Sequence, residues 1–189
     1  MDFEEKTIAR EEIFQGAVVH LVKDKVALPD KKGESYREII LHNGGVSVLA
    51  ITPEGRIVLV KQYRKAVEEV SIEIPAGKLE PGEARDKKAA ALRELEEETH
   101  YTGDLRQIAQ FYSAIGFCNE EITLFLGEQL TRVTNPRPHD PDETLELLEV
   151  TLAEALELIA QGHIKDAKTI IAIQYAQLNL AETLGQSES

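Results

Sequence analysis

The chain has 189 residues, of which 42% are hydrophobic, and this is enough to build the core of one domain or of one domain with a small appendage. Its 34 acidic and 21 basic residues give a net charge of −13 at pH 7, which excludes a surface built for nonspecific nucleic-acid binding. No apolar run approaches the ~20 residues of a membrane span, and the single cysteine, Cys118, excludes a disulfide within the chain, so we expect a protein of the reducing cytoplasm.

The first 44 residues are predicted to form a small antiparallel sheet. They show the loose alternation of apolar and polar residues that is typical of half-buried strands. The three predicted strands are residues 5–13, 17–27 and 35–41. Asn43-Gly44-Gly45 interrupts this pattern, and it marks a boundary between an N-terminal sheet at residues 1–44 and a main domain at residues 45–189.

The main domain is predicted to contain both strands and helices. Its β-rich runs are residues 46–52, 56–63, 70–74, 104–112, 122–130 and 143–151. Its amphipathic runs, predicted to be helices, are residues 86–99, 152–160 and 165–184. Three prolines within residues 131–142 predict a loop that closes on a substrate. This order of elements indicates an α+β domain or a layered α-β-α domain.

A cluster of acidic residues lies on one face of the first predicted helix. Glu94, Glu97 and Glu98 are spaced i, i+3 and i+4, which places their side chains next to one another. Like charges at this spacing repel, so the helix gains from them only if a cation lies among them. Carboxylate oxygens close together suit Mg²⁺ or Mn²⁺. A metal site is one interpretation of this face, and a solvated acidic surface is the other.

The residues around this helix resemble the Nudix box. The family pattern is glycine, five residues, glutamate, seven residues, and then Arg-Glu-apolar-x-Glu-Glu-x-Gly-apolar. The matching residues are Gly77, Glu83, Arg93, Glu94, Leu95, Glu97, Glu98 and Tyr101. Two features differ from the pattern. Nine residues separate Glu83 from Arg93, which we expect to lengthen the turn, and His100 replaces a glycine at a position that often needs a positive φ.

Further segments are similar to the ADP-ribose pyrophosphatase branch of this family, namely residues 60–64, 73–77 and 162–169. The resemblance implies an α+β fold, an α/β/α sandwich with a mixed sheet, preceded by the small antiparallel sheet. It implies an enzyme that uses Mg²⁺, or alternatively Mn²⁺, to hydrolyse the pyrophosphate of ADP-ribose to AMP and ribose 5-phosphate. It also implies a homodimer in which the N-terminal sheet is exchanged between subunits.

Two alternatives stay open, because the box positions a metal and does not choose the substrate. The first is hydrolysis of another nucleoside diphosphate derivative, either a different nucleotide sugar or a dinucleoside polyphosphate. The second is a non-catalytic module that binds a nucleotide and regulates a partner. Fusion regulators of that kind carry a basic DNA-binding segment, which this acidic chain has no room for.

The resemblance also implies which residues form the metal site. The ligands would be the backbone carbonyl of Ala76 and the carboxylates of Glu94, Glu97 and Glu98. Glu97 would in addition support catalysis by bridging metal ions. Arg93 would orient these acids by ion pairing, which is a structural role.

The general base would come from the acidic segment near the last predicted strand. Glu146 is the first choice for this base or for a further metal ligand. Glu143 is the second, because a one-residue slip of the alignment brings it to an acidic position of the family. For each of them the alternative is a surface acid at the edge of a strand.

Two arginines and one glutamate are the candidates for contacts with the substrate. Arg64 resembles a substrate-binding arginine of the branch, and arginine suits phosphate contacts. Arg37 is a weaker candidate, which would reach the site from the partner subunit, and a surface role is its alternative. Glu73 lies beside the box and could line the pocket.

Overall fold

The computed structural model describes residues 3–138 and 144–185. Within them the chain divides into two compact units. The first comprises the residues up to Gly44 together with Tyr112–Glu121, and the second comprises Gly45–Phe111 together with the residues from Ile122 onward. The division falls inside the Asn-Gly-Gly break, while the assignment of separate domains stays a prediction. No helix in the described ranges is long and apolar enough to cross a membrane.

The first unit contains a three-stranded antiparallel sheet. Its strands pair in the order β1 (Lys6–Gln15), β2 (His20–Ala27) and β3 (Glu34–Leu41). Alternate residues of the central strand are buried, namely Val22, Asp24 and Val26, whereas β1 is exposed along its whole length. The predicted N-terminal antiparallel sheet is therefore confirmed.

One charged side chain is buried in this sheet. The carboxylate of Asp24 accepts hydrogen bonds of 2.7 Å from Nε and Nη2 of Arg10, which lies directly opposite on β1. These hydrogen bonds outweigh the effect of burial and lower the pKa of Asp24. A slip of one residue would break both bonds, so the pair helps to fix the register of a strand with no buried side chains.

The second unit is built on a seven-stranded mixed sheet. Its strands are β4 (Gly45–Ile51), β5 (Ile57–Arg64), β6 (Glu69–Glu73), β7 (Ala76–Lys78), β8 (Tyr101–Tyr112), β9 (Glu121–Arg132) and β10 (Glu146–Val150). The main path runs β10-β5-β4-β9-β8, with β6 paired to β5 and β7 paired to β4. The β4–β9 pair is parallel, and the pairs of β5 with β4, β6 and β10 are antiparallel.

The helices of the second unit are α1 (Lys87–Thr99), α2 (Leu152–Ala160), α3 (Ala167–Asn179) and α4 (Ala181–Gly185). The prediction of one helix at 165–184 was wrong, because Leu180 leaves the helical region at φ −128° and ψ 0°. Asn179, just before this break, donates its side-chain amide to the carbonyl of Tyr175, a local bond that competes with continuation of the helix.

Helices cover both faces of the sheet, and β4 is therefore buried at every position. One apolar cluster joins β4 to α1 and includes Val46, Val48, Ala50, Ala90, Ala91 and Leu95. The other joins β4 to α2 and α3 and includes Leu49, Ile51, Ala155, Ala172 and Ile173. Successive residues of a strand point to opposite faces, so β4 contributes to both layers. The predicted α/β/α sandwich with a mixed sheet is confirmed.

Candidate active site

The acidic face of α1 lies against the short strand β7. Ala90, Ala91 and Leu95 lie beside this acidic face and are buried in the core, which fixes the rotation of α1 about its axis. Glu98 is only 3% exposed, and its Oε2 accepts the backbone N–H of Ala76 at 3.0 Å. A buried carboxylate needs such partners because burial disfavours its charged form.

The carboxylate of Glu94 lies so close to the backbone of Gly77 that a side chain at position 77 would clash with it. A Cβ built at this position would lie 2.0 Å from both Cδ and Oε1 of Glu94, much closer than two atoms can pack. The absence of a side chain therefore allows the carboxylate of Glu94 to lie directly over the backbone of β7. This contact explains the first glycine of the box in physical terms.

Arg93 forms ion pairs with three glutamates around it, namely Glu83, Glu94 and Glu97. Its Nη1 lies 2.9 Å from Oε1 of Glu94 and donates to Oε2 of Glu97 at 2.8 Å. Its Nε and Nη2 donate to the two carboxylate oxygens of Glu83 at 3.0 and 3.1 Å. The hydrogen bonds from Arg93 lower the pKa of Glu83, and those bonds in turn raise the pKa of Arg93. Mutual repulsion among the glutamates is thereby offset.

The two extra residues between Glu83 and Arg93 do not separate these side chains. A 3₁₀ turn at Glu83–Arg85 follows Gly82, whose φ is 99°, and Asp86 then caps α1 by accepting the N–H of Ala89. The turn therefore brings Glu83 within hydrogen-bond distance of Arg93. At the other end of α1, His100 adopts φ 59°, the conformation that its replacement of glycine predicts.

The donor chemistry of this site fits a magnesium or manganese ion. Three carboxylates and the carbonyl of Ala76 supply hard oxygen donors, and Gly77 leaves room for one of those carboxylates at the strand. Within the described part of the chain, no three acidic, histidine or cysteine side chains are already arranged to hold a metal ion. Glu94 and Glu97 contact Arg93 instead. Binding therefore requires their carboxylates to turn toward the ion, and the ligand roles stay predictions.

A second charged network lies at the ends of β5 and β6. Arg64 donates from Nε and Nη2 to the two oxygens of Glu73 at 2.8 and 2.9 Å, and Lys168 of α3 donates to Oε2 of Glu73 at 2.5 Å. Burial alone would raise the pKa of Glu73, but the hydrogen bonds and charges of Arg64 and Lys168 outweigh it and lower this pKa to about 2. A cavity of about 510 Å³, which also borders Val67 and Val70, opens beside the network.

Three predicted site residues remain, namely Glu146, Glu143 and Arg37. Glu146, the first residue of β10, is largely exposed and lies 3.3 Å from Nζ of Lys61, its cross-strand partner. Glu143 lies outside the described residues. Arg37 belongs to the first unit, where its guanidinium donates to both carboxylate oxygens of Glu5 at 2.8 and 2.5 Å. The functional roles of these three residues stay predictions.

Sequence reasoning missed two cations of the second unit. Lys168 was only part of a segment with family resemblance. Arg137 donates its backbone N–H to Oε1 of Glu96 at 3.1 Å, and its Nη1 lies 3.6 Å from Oε1 of Glu97. Both contacts join residues far apart in the sequence, so no local pattern could reveal them.

Comparison with known proteins gives consistent similarities over nearly the whole chain. Residues 41–172 match the NUDIX domain family. The chain is 51% identical to the ADP-ribose pyrophosphatase of Bacillus subtilis (strain 168), covering 94% of this chain and 95% of that protein. It is 49% identical to the methanol dehydrogenase activator of Bacillus methanolicus, covering 95% and 96%. A crystal structure of an ADP compounds hydrolase shares the fold, with a TM-score of 0.80 at 16% identity over 95% of this chain and 96% of that one.

Proposed function

This chain belongs to the NUDIX family, and we propose that it hydrolyses the pyrophosphate of ADP-ribose to AMP and ribose 5-phosphate with bound Mg²⁺. The observation that carries the proposal is the 51% identity to an ADP-ribose pyrophosphatase over nearly all of both chains. The acidic face of α1, held against β7 by Glu98 and Ala76, supports it.

The residues of α1 and β7 would hold the metal. The ligands would be the carbonyl of Ala76 and the carboxylates of Glu94, Glu97 and Glu98. Bound Mg²⁺ supplies neutralisation of the charged pyrophosphate oxygens and a lower pKa for water. Arg93 keeps the glutamates close together before the ion is bound, since it pairs with Glu94 and Glu97.

The other roles follow from charge and position. Arg64 would contact a phosphate of the substrate, because its side chain is partly exposed and lines the cavity. Glu146 is the first candidate for the base that takes the proton of the attacking water, and Glu143 is the second. Glu146 would have to leave Lys61 to act, which its exposure permits.

A panel of nucleoside diphosphates tests the substrate. With Mg²⁺, the chain should release ribose 5-phosphate from ADP-ribose at a kcat/KM at least ~10-fold above that for other nucleotide sugars and dinucleoside polyphosphates. EDTA should abolish turnover, because the carboxylates alone do not neutralise the pyrophosphate. Failure on ADP-ribose together with good turnover of another diphosphate would replace the substrate and keep the reaction.

The relation to a methanol dehydrogenase activator supports a second candidate function, activation of a dehydrogenase. Addition of the chain to a purified methanol dehydrogenase, with and without Mg²⁺, tests it. A rate increase that requires the acidic site would make activation a consequence of hydrolysis. No increase would leave hydrolysis as the function.

We also propose a homodimer formed through the N-terminal sheet. β1 exposes Ile8, Ile13 and Phe14, between 47% and 57% accessible, and apolar groups in such number on one strand favour a partner surface. Sedimentation velocity should show a dimer at micromolar concentration, and Phe14→Glu should shift it toward a monomer. A monomer at every concentration would contradict this part of the proposal. The cytoplasmic location stays a prediction.

A further inference from the structure

Glu73 is a buried carboxylate held by cations from two different elements. Its side chain is 4% exposed, and the side chain of Lys168 is 12% exposed. The side chain of Arg64 is 44% exposed. One end of the network is therefore fixed in the protein, while the arginine end reaches the cavity that Arg64, Glu73 and Lys168 all line.

The guanidinium of Arg64 keeps donors for a ligand. Its bonds to Glu73 use Nε and Nη2. Nη1 donates no hydrogen bond to any of the described residues, and this nitrogen carries two further N–H groups. An arginine held along one edge by a carboxylate presents its other donors in one fixed direction, which suits an anionic phosphate oxygen.

The position of Lys168 is fixed by the first turn of α3. Asp166 caps this helix, accepting the backbone N–H of Thr169 at 3.0 Å, and its Oδ2 lies 3.1 Å from Nζ of Lys168. The hydroxyl of Thr169 accepts the backbone N–H of Ile74 at 2.9 Å. The helix that carries the lysine is thus bonded to the residue directly after Glu73.

We propose that Lys168 is a positioning residue, which anchors the carboxylate of Glu73 so that Glu73 holds the Arg64 guanidinium toward a phosphate of the substrate. The proposal rests on the proposed function, since it deepens the role of Arg64 in the hydrolysis of a nucleoside diphosphate. Lys168 acts through Glu73 and does not contact the substrate. Glu73 likewise serves as the link, because both of its oxygens are used by Arg64 and one of them also by Lys168.

The hydrogen bond from Lys168 restricts the position of the Glu73 carboxylate. A carboxylate paired only with Arg64 would be free to follow the exposed arginine into the cavity. A second bond to the partly buried ammonium group of Lys168 on α3 removes that freedom, and the carboxylate then defines the direction of the guanidinium. An arginine that is already ordered before the substrate binds loses less side-chain entropy on binding.

A double-mutant cycle between Lys168 and Arg64 tests this role. Lys168→Met should raise KM for ADP-ribose roughly 10-fold with a small change in kcat, as expected when a binding interaction common to ground and transition states is weakened. In the Arg64→Gln background the same substitution should change KM by less than about 2-fold, because the residue that it positions is already absent. Lys168→Arg should restore most of the affinity.

Lys65→Met is the matched control. Lys65 is not among the residues that line the cavity, and it and its partner Glu68 are both exposed, so its loss should leave KM within about 2-fold of the parent. An equal effect of Lys65→Met, or an undiminished effect of Lys168→Met in the Arg64→Gln background, would overturn the proposal. If thermal unfolding shows that Lys168→Met does not fold, Glu73→Gln/Lys168→Met takes its place in both backgrounds, with the same expectation.

Failure of the proposed function is a separate result. If the parent protein does not hydrolyse ADP-ribose but hydrolyses another nucleoside diphosphate, the proposed substrate is wrong. The double-mutant cycle is then measured with that other compound. Calorimetric binding of α,β-methylene ADP-ribose gives the same cycle without turnover. If no variant differs from the parent in either measurement, the positioning role is wrong.

Discussion

Glu98→Gln is expected to lower kcat for ADP-ribose hydrolysis by at least ~100-fold while α1 stays folded. Glu98 is buried and accepts the N–H of Ala76 through one oxygen. Glutamine can still accept that hydrogen bond through its carbonyl oxygen, but it is neutral and its NH₂ group cannot bind a cation. The helix therefore keeps its contact with β7, and the site loses one negative oxygen donor. Steady-state kinetics and circular dichroism measure the two expectations.

Glu96→Gln is the matched control for this variant. Glu96 lies on the same helix and carries the same charge, but its carboxylate contacts Arg137. Its loss should change kcat by less than about 3-fold. Calorimetric titration with Mn²⁺ should show weaker binding for Glu98→Gln alone. A rate close to that of the parent, with the helix intact, would show that Glu98 is not a metal ligand.

Gly77→Ala is expected to separate activity from stability. The added Cβ would lie 2.0 Å from the carboxylate of Glu94, so this carboxylate must move away from the strand. The atoms displaced are the end of a flexible side chain, and the melting temperature should fall by no more than a few degrees. Displacement of a metal ligand by about 1 Å is enough to lower kcat roughly 100-fold. Kinetics and differential scanning calorimetry on the same preparation measure both effects.

Gly116→Ala provides the comparison, because a Cβ at that glycine meets nothing within 4 Å. It should change neither the rate nor the melting temperature appreciably. If Gly77→Ala kept the rate of the parent, Glu94 would not need its place over β7. If it unfolded the protein, the contact would be structural and the assignment of Glu94 would lose its main support.

The helix that carries the acids could be predicted because its signals are local. Asp86 provides a cap, and Ala90, Ala91 and Leu95 mark the buried face. The spacing of the glutamates then sets their direction. The same logic correctly predicted the alternation in β2, whereas the mixed sheet between two helical layers was implied by the family resemblance. It also anticipated the positive φ of His100, since the position is defined by the end of that helix.

Other features could not be predicted, because they depend on contacts between distant residues. Lys168 and Glu73 are 95 residues apart, and no periodicity specifies how α3 is placed along β6. Strand β7 has only three residues, too few for an alternation to be recognised. The hydrogen bond between Arg93 and Glu83 depends on the conformation of the intervening turn, and the number of inserted residues does not determine that conformation.

The segment before β10 shows a different limit. Among the described residues of the predicted strand at 143–151, the strand is observed at Glu146–Val150, so Glu146 begins it and pairs with Lys61. Its acidic composition alone could not choose between Glu143 and Glu146. The choice requires a bound substrate, because a base is defined by its distance from the attacking water.

A crystal structure with Mg²⁺ and α,β-methylene ADP-ribose is the most direct measurement of the central claim. We expect an ion bound by the carbonyl of Ala76 and by the carboxylates of Glu94 and Glu98, with Glu97 beside it and Arg64 on a phosphate. The contact between Arg93 and Glu94 should lengthen as the carboxylate turns to the ion. Glutamates that stay on Arg93 or point into solvent, with no ion among them, would contradict a metal-dependent hydrolase at this site.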